Sequence, residues 1–533
     1  MTPSDNHEQA LSAAMGGEAG KEPGEEKDKK DIARGAGANF AGFLVRLGSR
    51  LPFLFLAVAL FGNELYGRYN YTITTIEIAA AFATFGLKRS LFKFIHDRAY
   101  AKLYCPEQVI LTALCWSLTV GGILTALLIF SADFLAEIFD YPQMVTGLKT
   151  LAPILLVITS VDVLLSGTRA TRKMRYEVWS RSIVEPYVLL GSMLLFYALG
   201  YHEYGLLMAY AVALFSALAV ALWGLFNLYS LKSFLSARPC PRLILKIANF
   251  SAPTAFHDMA LLIFMRMDIF TVKFFFSEAV LGVYTIAQQF ATSVEKIYQS
   301  FYPILAPVMS SSLVRWDYPR VERHMVMVSR WILMVQCLIV VWSGFYGEAV
   351  IAAVANGDTQ TGILAMGGTI LLMLMIGETI NGGFGTSDLP LIYRNPLYNP
   401  AISLMMIPLY VLMAWIFTQL FGMDASGVAL ALMLTYMTMN AIRLYLIRRL
   451  FGIRMFSAKL FKVPFAALIC SGIFYQALNF IPLDLIHGWG VFLGIPLLIF
   501  LYGASLILIG LEPEDKEKLR ARLGGKRAAQ QAG

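Results

Sequence analysis

Hydrophobic positions in this chain gather into about fourteen long stretches, each close to the length of a membrane-spanning helix. About 20 apolar residues of helix cross the ~30 Å hydrocarbon core of a bilayer. The pattern therefore predicts an all-α polytopic membrane protein with about 14 transmembrane helices. We number the predicted spans 1–14, and they cover residues 40–61, 69–87, 107–130, 146–165, 183–199, 204–227, 248–272, 280–305, 328–347, 361–380, 399–419, 425–442, 462–480 and 489–510.

Lysine and arginine are sorted into alternate connections between these spans. Each connection is counted together with the first turn of the span that follows it. The connections after even-numbered spans then hold 25 Lys and Arg residues, and those after odd-numbered spans hold three, which are Arg68, Lys149 and Lys273. Cationic loops stay on the cytoplasmic side of a membrane. The sequence thus predicts that both termini are cytoplasmic.

Two pairs of motifs indicate an internal repeat. A Gly-x-Tyr motif at residues 67–69 opens span 2, and another at 282–284 opens span 8, 215 residues later. Glycine-bounded segments at 200–205 and 422–427 enter spans 6 and 12, at an offset of 222. Spans 1–6 and 7–12 are therefore predicted to be two pseudo-symmetric six-helix lobes. Because six is even, the lobes share one orientation and their pseudo-twofold axis runs along the membrane normal.

These patterns predict how the chain is organised. The N-terminal tail is rich in Gly, Ala, Glu and Lys, has no apolar core and is expected to be disordered. The predicted segments are a disordered cytoplasmic tail at 1–38, an N-lobe with spans 1–6 at 39–228, a cytoplasmic linker at 229–247, a C-lobe with spans 7–12 at 248–448, spans 13–14 within 449–510, and a basic cytoplasmic tail at 511–533.

Charged residues inside the spans are the first candidates for a functional site. Ionisable side chains in a membrane are costly, so they face a partner or a water-filled cavity. Arg46 and Arg50 are four residues apart, on one helix face. The cations predicted to bind an anion are Arg46, Arg50, Arg266 and Lys296. The acids predicted as candidates for ion coupling are Asp258, Asp268, Glu295 and Glu378.

A polar stripe runs along spans 2 and 8 in the same register. Its members recur at helical spacing, which places them on one helix face. A polar stripe in a bilayer must be shielded from lipid by protein or water, which favours a cavity. The alternatives are hydrogen bonding between helices and neutralisation of Arg266 or Arg50 by Asp268. The stripe comprises Asn70, Thr74, Glu77 and Thr84 in span 2, and Thr285, Gln289, Thr292 and Gln299 in span 8.

Composition narrows the function classes. The net charge is +8 and 58% of residues are hydrophobic. The positive residues lie in short cytoplasmic loops, where they orient the protein and contact anionic membrane lipids, so we do not expect a nucleic-acid partner. The five cysteines are scattered, with no CxxC pair and no neighbouring histidine. Neither a metal site nor a disulfide framework is predicted, and no cofactor is expected.

Several motifs resemble a known family. Residues 266–270 read Arg-Met-Asp-Ile-Phe, and they are followed by Gly-Val-Tyr at 282–284, Pro303 and Pro307. Residues 427–431 read Gly-Val-Ala-Leu-Ala at the start of span 12. Together with the two six-span lobes, these features resemble the polysaccharide-transporter branch of the multidrug/oligosaccharidyl-lipid/polysaccharide (MOP) flippases. The resemblance covers residues 39–450, and spans 13–14 match the fourteen-span members. The tail at 1–38 is longer than is usual in that family.

The resemblance implies export of undecaprenyl-diphosphate-linked oligosaccharides across the bacterial inner membrane, for O-antigen, capsule or exopolysaccharide. Expected partners are the lipid-linked oligosaccharide, a polysaccharide polymerase and a chain-length regulator. An alternative is a cation-coupled exporter of drugs or small solutes. A membrane polymerase or ligase is the enzymatic alternative. It is disfavoured because the long outer connections, 131–145 and 348–360, contain no Lys, Arg or His for a catalytic site. The prediction is thus a transporter and not an enzyme.

Overall fold

The computed structural model describes a protein built from long, closely packed helices. The tails predicted at 1–38 and 511–533 lie outside the described residues. The described residues are 45–510 apart from 47, 85–86, 88–90, 92–93, 96–103, 139–141, 143, 172–174, 315, 356–360, 396, 456 and 481–490.

The described helices follow the predicted spans. The first seven are α1 (Gly48–Phe61), α2 (Asn63–Thr84), α3 (Pro106–Ile138), α4 (Met144–Leu151), α5 (Ile154–Ala170), α6 (Glu185–Ala198) and α7 (Gly205–Phe226). The others are α8 (Leu231–Ser236), α9 (Pro241–Phe275), α10 (Glu278–Val314), α11 (Tyr318–Val354), α12 (Thr361–Phe384), α13 (Asp388–Arg394), α14 (Tyr398–Trp415), α15 (Ala425–Phe451), α16 (Ala458–Phe480) and α17 (Val491–Ser505).

Each of the fourteen predicted apolar stretches coincides with a helix or a broken pair of helices. By length and composition, seven described helices can cross a membrane, or eight if the bent pair α4–α5 is one span. Helices α2, α9 and α10 are not among the seven, because polar and charged side chains interrupt their apolar sequence. The all-helical membrane fold is thereby confirmed, and the count of fourteen spans stays a prediction.

Three details of the chain path differ from the sequence prediction. Span 4 is broken between α4 and α5, which meet at a bend of 43°, because Pro153 lies at the junction and proline cannot continue a helical hydrogen-bond ladder. A π-helical segment, Val178–Val184, precedes α6. The predicted linker 229–247 contains α8 and the first turns of α9, which begins at Pro241 because proline is favoured at the first helical position.

The two lobes meet where the Gly-x-Tyr motifs lie. A Cβ atom placed on Gly67 would stand 3.1 Å from the backbone nitrogen of Gly282, and one placed on Gly282 would overlap the carbonyl of Asn63. The absence of side chains therefore allows α2 and α10 to approach closely, as small residues do between membrane helices. Two positions predicted to be equivalent by the 215-residue repeat touch each other, as expected for residues beside a pseudo-twofold axis.

The last two helices pack against the C-lobe. A core formed by α11, α16 and α17 includes Phe474 and Leu498, both completely buried. The hydroxyl of Tyr502 donates to the carbonyl of Met334 on α11 at 2.7 Å. Helices α16 and α17 therefore add to one side of the C-lobe and leave the interface between the lobes to α2, α9 and α10.

Candidate functional site

A cavity lies between the lobes, in the middle of the helices that carry the predicted charges. Its volume is about 140 Å³, which holds roughly five water molecules at about 30 Å³ each. It is lined from α1, α2, α6 and α7 of the N-lobe and from α9 and α10 of the C-lobe. The described lining residues are Arg46, Arg50, Leu51, Phe53, Leu54, Tyr66, Tyr69, Asn70, Ile73, Thr74, Glu77, Glu185, Pro186, Leu189, Tyr210, Arg266, Gln289, Thr292, Ser293 and Lys296.

All four cations predicted to bind an anion line this cavity. Arg266 forms an ion pair with Glu77, with 3.5 Å between its Nη2 and the carboxylate Oε2. Lys296 donates to the side-chain oxygen of Gln299 at 2.6 Å. In the described part of the chain, no carboxylate lies within 4 Å of Arg46, Arg50 or Lys296. Three cations thus face the cavity without a carboxylate in direct contact.

The electrostatic balance of the cavity is positive. Against the four cations, the described lining contains two carboxylates, Glu77 and Glu185. The buried Nε of Arg46 has no hydrogen-bond partner among the described residues. A cation at the centre of a membrane helix costs roughly 2.5–3.5 kcal/mol on insertion scales. A ligand with negative charge would remove much of this cost.

The polar stripe reaches the cavity in part. Five of its eight members line it, which are Asn70, Thr74, Glu77, Gln289 and Thr292. The other three lie outside the described lining. The Thr84 hydroxyl donates to the carbonyl of Ala81 at 3.1 Å, and the Thr285 hydroxyl to that of Gly282 at 2.8 Å. Gln299 links Lys296 to Glu295.

Asp268 has different partners from those considered in the sequence. Among the described residues, Asp268 forms no direct ion pair with Arg266 or Arg50, and Arg266 pairs with Glu77 on the opposite lobe. Asp268 is completely buried, and its Oδ2 accepts hydrogen bonds from the Tyr284 hydroxyl at 3.1 Å and from the Gln288 amide at 2.7 Å. Its carboxylate is therefore held inside the C-lobe and away from the cavity.

Two of the remaining predicted acids, Glu295 and Glu378, are buried in the C-lobe. Glu295 accepts a hydrogen bond from the side-chain amide of Gln299. Glu378 on α12 is buried, and its Oε2 has no hydrogen-bond partner in the described part of the molecule. Asp258 lies on α9, but its side chain is outside the described residues. Among the described residues, no three His, Cys, Asp or Glu side chains lie close enough together to bind a metal ion.

Several residues of the N-lobe wall were not predicted as cavity residues from the sequence. Tyr66, Tyr69 and Tyr210 line the cavity, and Tyr210 donates to Oε1 of Glu77 at 3.4 Å. Glu185 also lines it. The helical spacing of Tyr66, Tyr69 and Asn70 was the available signal, because these residues share one face of α2. Aromatic residues at that spacing are equally typical of a packed core, so the stripe alone did not separate the two roles.

The position of Glu185 depends on the π-helical segment. Arg181 in this segment donates to Glu185 at 2.8 Å and to Asp162 at 2.7 Å. The guanidinium thus holds one carboxylate at the cavity and anchors it to α5. π-helical turns occur frequently at functional sites. The Arg181–Glu185 pair has the i,i+4 spacing of a helical ion pair, whereas the contact with Asp162 could not be predicted from the spacing of charges along the sequence.

The cations at the opposite end of the lobes are all paired. Arg68 lies 3.9 Å from carboxylate oxygens of Glu203 and Glu278, and Lys273 lies 3.9 Å from Glu278. Lys149 pairs with Asp133 at 2.8 Å. Arg68, Lys149 and Lys273 are the three cations that the sequence places in odd-numbered connections. Pairing there contrasts with the unpaired cations of the cavity.

Solved membrane transporters share this fold. Lipid II flippase MurJ, in an inward closed conformation, matches with a TM-score of 0.62 over 88% of this chain and 98% of that chain, at 15% sequence identity. An inward-facing multidrug resistance transporter of the MATE family and MOP superfamily matches with a TM-score of 0.61 over 77% of this chain and 98% of that chain, at 13% identity. A MOP superfamily transporter from Pyrococcus furiosus gives 0.57, 14% identity, and coverage of 80% and 96%.

Sequence comparison gives a family as well as a fold. No curated protein sequence matches the chain significantly. The polysaccharide biosynthesis protein family matches residues 34–313, which is more than half of the 533 residues and includes the N-lobe, α9 and most of α10. The chain therefore belongs to the polysaccharide biosynthesis protein family, and its fold is that of the multi-pass transporters of the MOP superfamily.

Proposed function

We propose that this protein moves undecaprenyl-diphosphate-linked oligosaccharide units from the cytoplasmic to the outer leaflet of a bacterial inner membrane, by alternating access. The observation that carries the proposal is the set of three cavity cations that no described carboxylate contacts directly, Arg46, Arg50 and Lys296. Such cations in a membrane protein need a counter-charge. The diphosphate of the lipid-linked substrate supplies it.

The chemistry of the headgroup matches the cavity lining. A diphosphate cannot cross hydrocarbon unaided, because desolvation of its charge costs many kcal/mol. The planar forks of Arg46 and Arg50 can bind phosphate oxygens with two donors each, whereas Lys296 supplies a compact charge. Hydroxyl and amide groups on Thr74, Gln289 and neighbouring residues suit the hydroxyls of a sugar.

The outer end of the lobe interface explains how the substrate is retained on one side. Gly67 and Gly282 bring α2 and α10 into contact, the amide of Asn63 donates to the carbonyl of Ala355 at 3.1 Å, and Arg68 joins the two lobes through Glu278. In the proposed orientation, with both termini cytoplasmic, this contact closes the outer face. A cavity of about 140 Å³ has room for a diphosphate and must widen for an oligosaccharide.

Two sources of energy are compatible with outward movement. An inside-negative potential favours export of an anion by about 2.3 kcal/mol per charge per 100 mV fully crossed. The C-lobe acids Asp268, Glu295 and Glu378 are the proposed sites of proton or sodium coupling, because burial away from water favours binding of a cation to a carboxylate. Export in vesicles with imposed gradients distinguishes the two. If removal of both the proton and the sodium gradient changes nothing, coupling by these acids is wrong, and potential-driven or facilitated movement remains.

A second candidate function is cation-coupled export of drugs or other small solutes. The specific observation that favours it is the unpartnered, buried Oε2 of Glu378, which belongs to no anion-binding surface. The positive balance of the cavity lining argues against cationic drugs as the main substrate. A polysaccharide polymerase and a chain-length regulator are proposed as partners, because each translocated unit must be consumed in the outer leaflet.

The test is complementation of surface-polysaccharide assembly in a strain that lacks this chain. Arg46→Ala, Arg50→Ala and Lys296→Ala should each reduce assembly at normal membrane abundance. Hydrogen bonds to a charged group contribute about 1.5–3 kcal/mol, so we expect losses of at least about tenfold. Arg50→Lys should rescue in part, because it restores charge without the fork.

Lys149→Ala is the matched control, since this cation is paired with Asp133 far from the cavity. It should leave assembly unchanged. Full activity of the three cavity variants at normal abundance would remove these cations from the mechanism and refute the proposed diphosphate site.

A further inference from the structure

A second concave surface lies on the side of the N-lobe, separate from the central cavity. It is a groove of about 590 Å³ between the bent pair α4–α5 and α7. Leu151, Ile154 and Leu207 form its buried floor, whereas Met208 and Phe215 stand exposed at its rim. The lining is almost entirely carbon. No function described above uses this groove.

The groove exists because span 4 is broken. Helices α4 and α5 meet at 43°, and the hydroxyl of Thr125 donates to the carbonyl of Ala152 at the break, at 3.3 Å. Gly147 allows α4 to lie against α2, with its Cβ position 3.5 Å from the Thr72 hydroxyl oxygen. The bend and the close approach together leave a trough between α5 and α7 that a straight helix would fill.

The polarity of the groove changes along its length. Thr146, Thr150 and Tyr204 carry its hydroxyl groups. Thr146 and Tyr204 lie at the beginnings of α4 and α7, and Thr150 lies one turn further along, at the end of α4. In the predicted topology both helices begin at the outer face. Beyond them the lining is apolar as far as Phe215. A ligand that fits this gradient has a hydrocarbon chain within the membrane and a polar end at the outer surface.

The dimensions fit one leaflet of the bilayer. Tyr204 and Phe215 are eleven residues apart on α7, which is about 16 Å of helix at 1.5 Å per residue and roughly half of the ~30 Å hydrocarbon core. The groove, with a volume of about 590 Å³, accommodates part of one hydrocarbon chain in the outer leaflet.

Helix α7 connects the groove to the central cavity. Leu207, Met208 and Ala211 face the groove, whereas Tyr210 on the same helix lines the cavity and donates to Glu77. A lipid whose headgroup leaves the cavity at the outer face would find the groove one helix away. An ordinary phospholipid has no such reason to prefer this site.

We infer that the groove binds the polyisoprenoid tail of the lipid-linked substrate in the outer leaflet, on the exit side of transport. This inference rests on the proposed function and adds a tail-binding site to it. The tail binds through burial of methyl and methylene groups against Leu151, Ile154 and Leu207. Its polar end lies beside the hydroxyls of Thr146 and Tyr204.

The test is photo-crosslinking of purified protein in nanodiscs. The probes are an undecaprenol without phosphate and a phosphatidylglycerol, each carrying the same photoreactive group on its hydrocarbon chain. Labelled peptides are identified by mass spectrometry. We expect the prenol probe to label residues within 146–154 and 204–215, and unlabelled undecaprenol to displace it.

Ala211→Trp should fill the groove and reduce prenol labelling at least about tenfold, because loss of two buried methylene groups already lowers affinity by that factor. Val212→Trp is the matched control, since Val212 is the next residue on α7, faces lipid and does not line the groove. Ala211→Phe is a milder filling variant for use if the Trp variant is poorly expressed. It should reduce labelling in the same direction.

Each outcome decides the inference. Equal labelling of the groove by the phosphatidylglycerol probe, or no displacement by undecaprenol, makes it a phospholipid site and overturns the assignment. Absence of labelling by either probe overturns it as well. Since the prenol carries no phosphate, groove labelling is independent of Arg46 and Arg50. Variants that lack the proposed diphosphate site should therefore show the same groove labelling. Failure of the proposed function can thus be distinguished from failure of the tail-binding inference.

Discussion

The two lobes carry the same pair of contacting positions with different chemistry. In the N-lobe, Phe53 on α1 packs against Tyr69 on α2, with ring centroids 5.9 Å apart, and both line the cavity. The equivalent residues of the C-lobe, 215 positions later, are Asp268 and Tyr284. There the hydroxyl of Tyr284 donates a hydrogen bond to the buried carboxylate of Asp268 at 3.1 Å. The repeat preserved a contact between helices while its side chains diverged.

The two lobes contribute unequally to the cavity wall. Of the twenty described lining residues, fifteen belong to the N-lobe, so that lobe builds most of the binding wall. The C-lobe contributes five lining residues, all of them polar, and it also holds buried polar groups in its interior. One of these is Gln288, which donates to Asp268 and lies at the position equivalent to the cavity residue Ile73 of the N-lobe. We therefore propose that both lobes bind the substrate, with most of the wall supplied by the N-lobe, and that the C-lobe contains the coupling acids.

The largest effect is expected at the contact between the lobes. A Cβ on Gly282 would overlap the backbone carbonyl of Asn63, whereas one on Gly67 would meet Gly282 at 3.1 Å, which small shifts can relieve. Gly282→Ala should therefore destabilise the protein by about 1–3 kcal/mol, the typical cost of overpacking. Gly67→Ala should cost less. The measurement is thermal unfolding in detergent, combined with export.

Gly191→Ala on α6 provides the control, because nothing lies within 4 Å of its Cβ position. Alanine replaces glycine there within a helix, so stability should stay the same or rise. If Gly282→Ala behaves like Gly191→Ala, the close contact between α2 and α10 does not hold the lobes together.

The second effect concerns the buried acid of the C-lobe. Asp268→Asn keeps the shape but replaces one carboxylate oxygen with an amide, although Ile269, Tyr284 and Gln288 all donate to Asp268. At least one buried donor loses its acceptor, at a cost of about 1–3 kcal/mol. Asp133→Asn, in the exposed pair with Lys149, should cost less than about 1 kcal/mol. Equal unfolding midpoints for the two variants would contradict the assigned hydrogen bonds.

The smallest effect is expected for the ion pair that joins the lobes across the cavity. Arg266 and Glu77 are partly exposed and 3.5 Å apart, so their coupling energy should be below about 1 kcal/mol. A double-mutant cycle of Arg266→Gln and Glu77→Gln measures it. Export should stay reduced in the double variant, because one of the four cations that line the cavity is gone. Restored export would reduce Arg266 to a structural partner of Glu77.

The sequence predicted the helices better than their irregularities. Runs of apolar residues mark each span, because the bilayer demands them, and the described helices follow all fourteen. The break at Pro153 and the π-helical segment before Glu185 were not predicted. Membrane helices tolerate proline when neighbours satisfy the freed backbone groups, as Thr125 does here. Proline alone therefore cannot distinguish a bend from a regular span.

The candidate site was predicted in its cations and only partly in its polar residues. Arg46, Arg50, Arg266 and Lys296 all reach the cavity, because a charge inside a membrane has few other places to lie. Threonine differs, since its hydroxyl can bond to its own helix. Thr84, Thr285 and Thr292 all do so, yet of these three only Thr292 belongs to the described lining. The same residue type at the same spacing thus served two roles.

The most direct test of the central claim is binding of undecaprenyl diphosphate to purified protein in nanodiscs, with undecaprenol as the uncharged comparison. In a variant that combines Arg46→Ala, Arg50→Ala and Lys296→Ala, the affinity for the diphosphate should fall at least about tenfold, since charge-assisted hydrogen bonds are lost. Binding of undecaprenol should not change. Equal affinity of the wild-type and triple-variant proteins for the diphosphate would contradict the proposal that these cations bind the substrate headgroup.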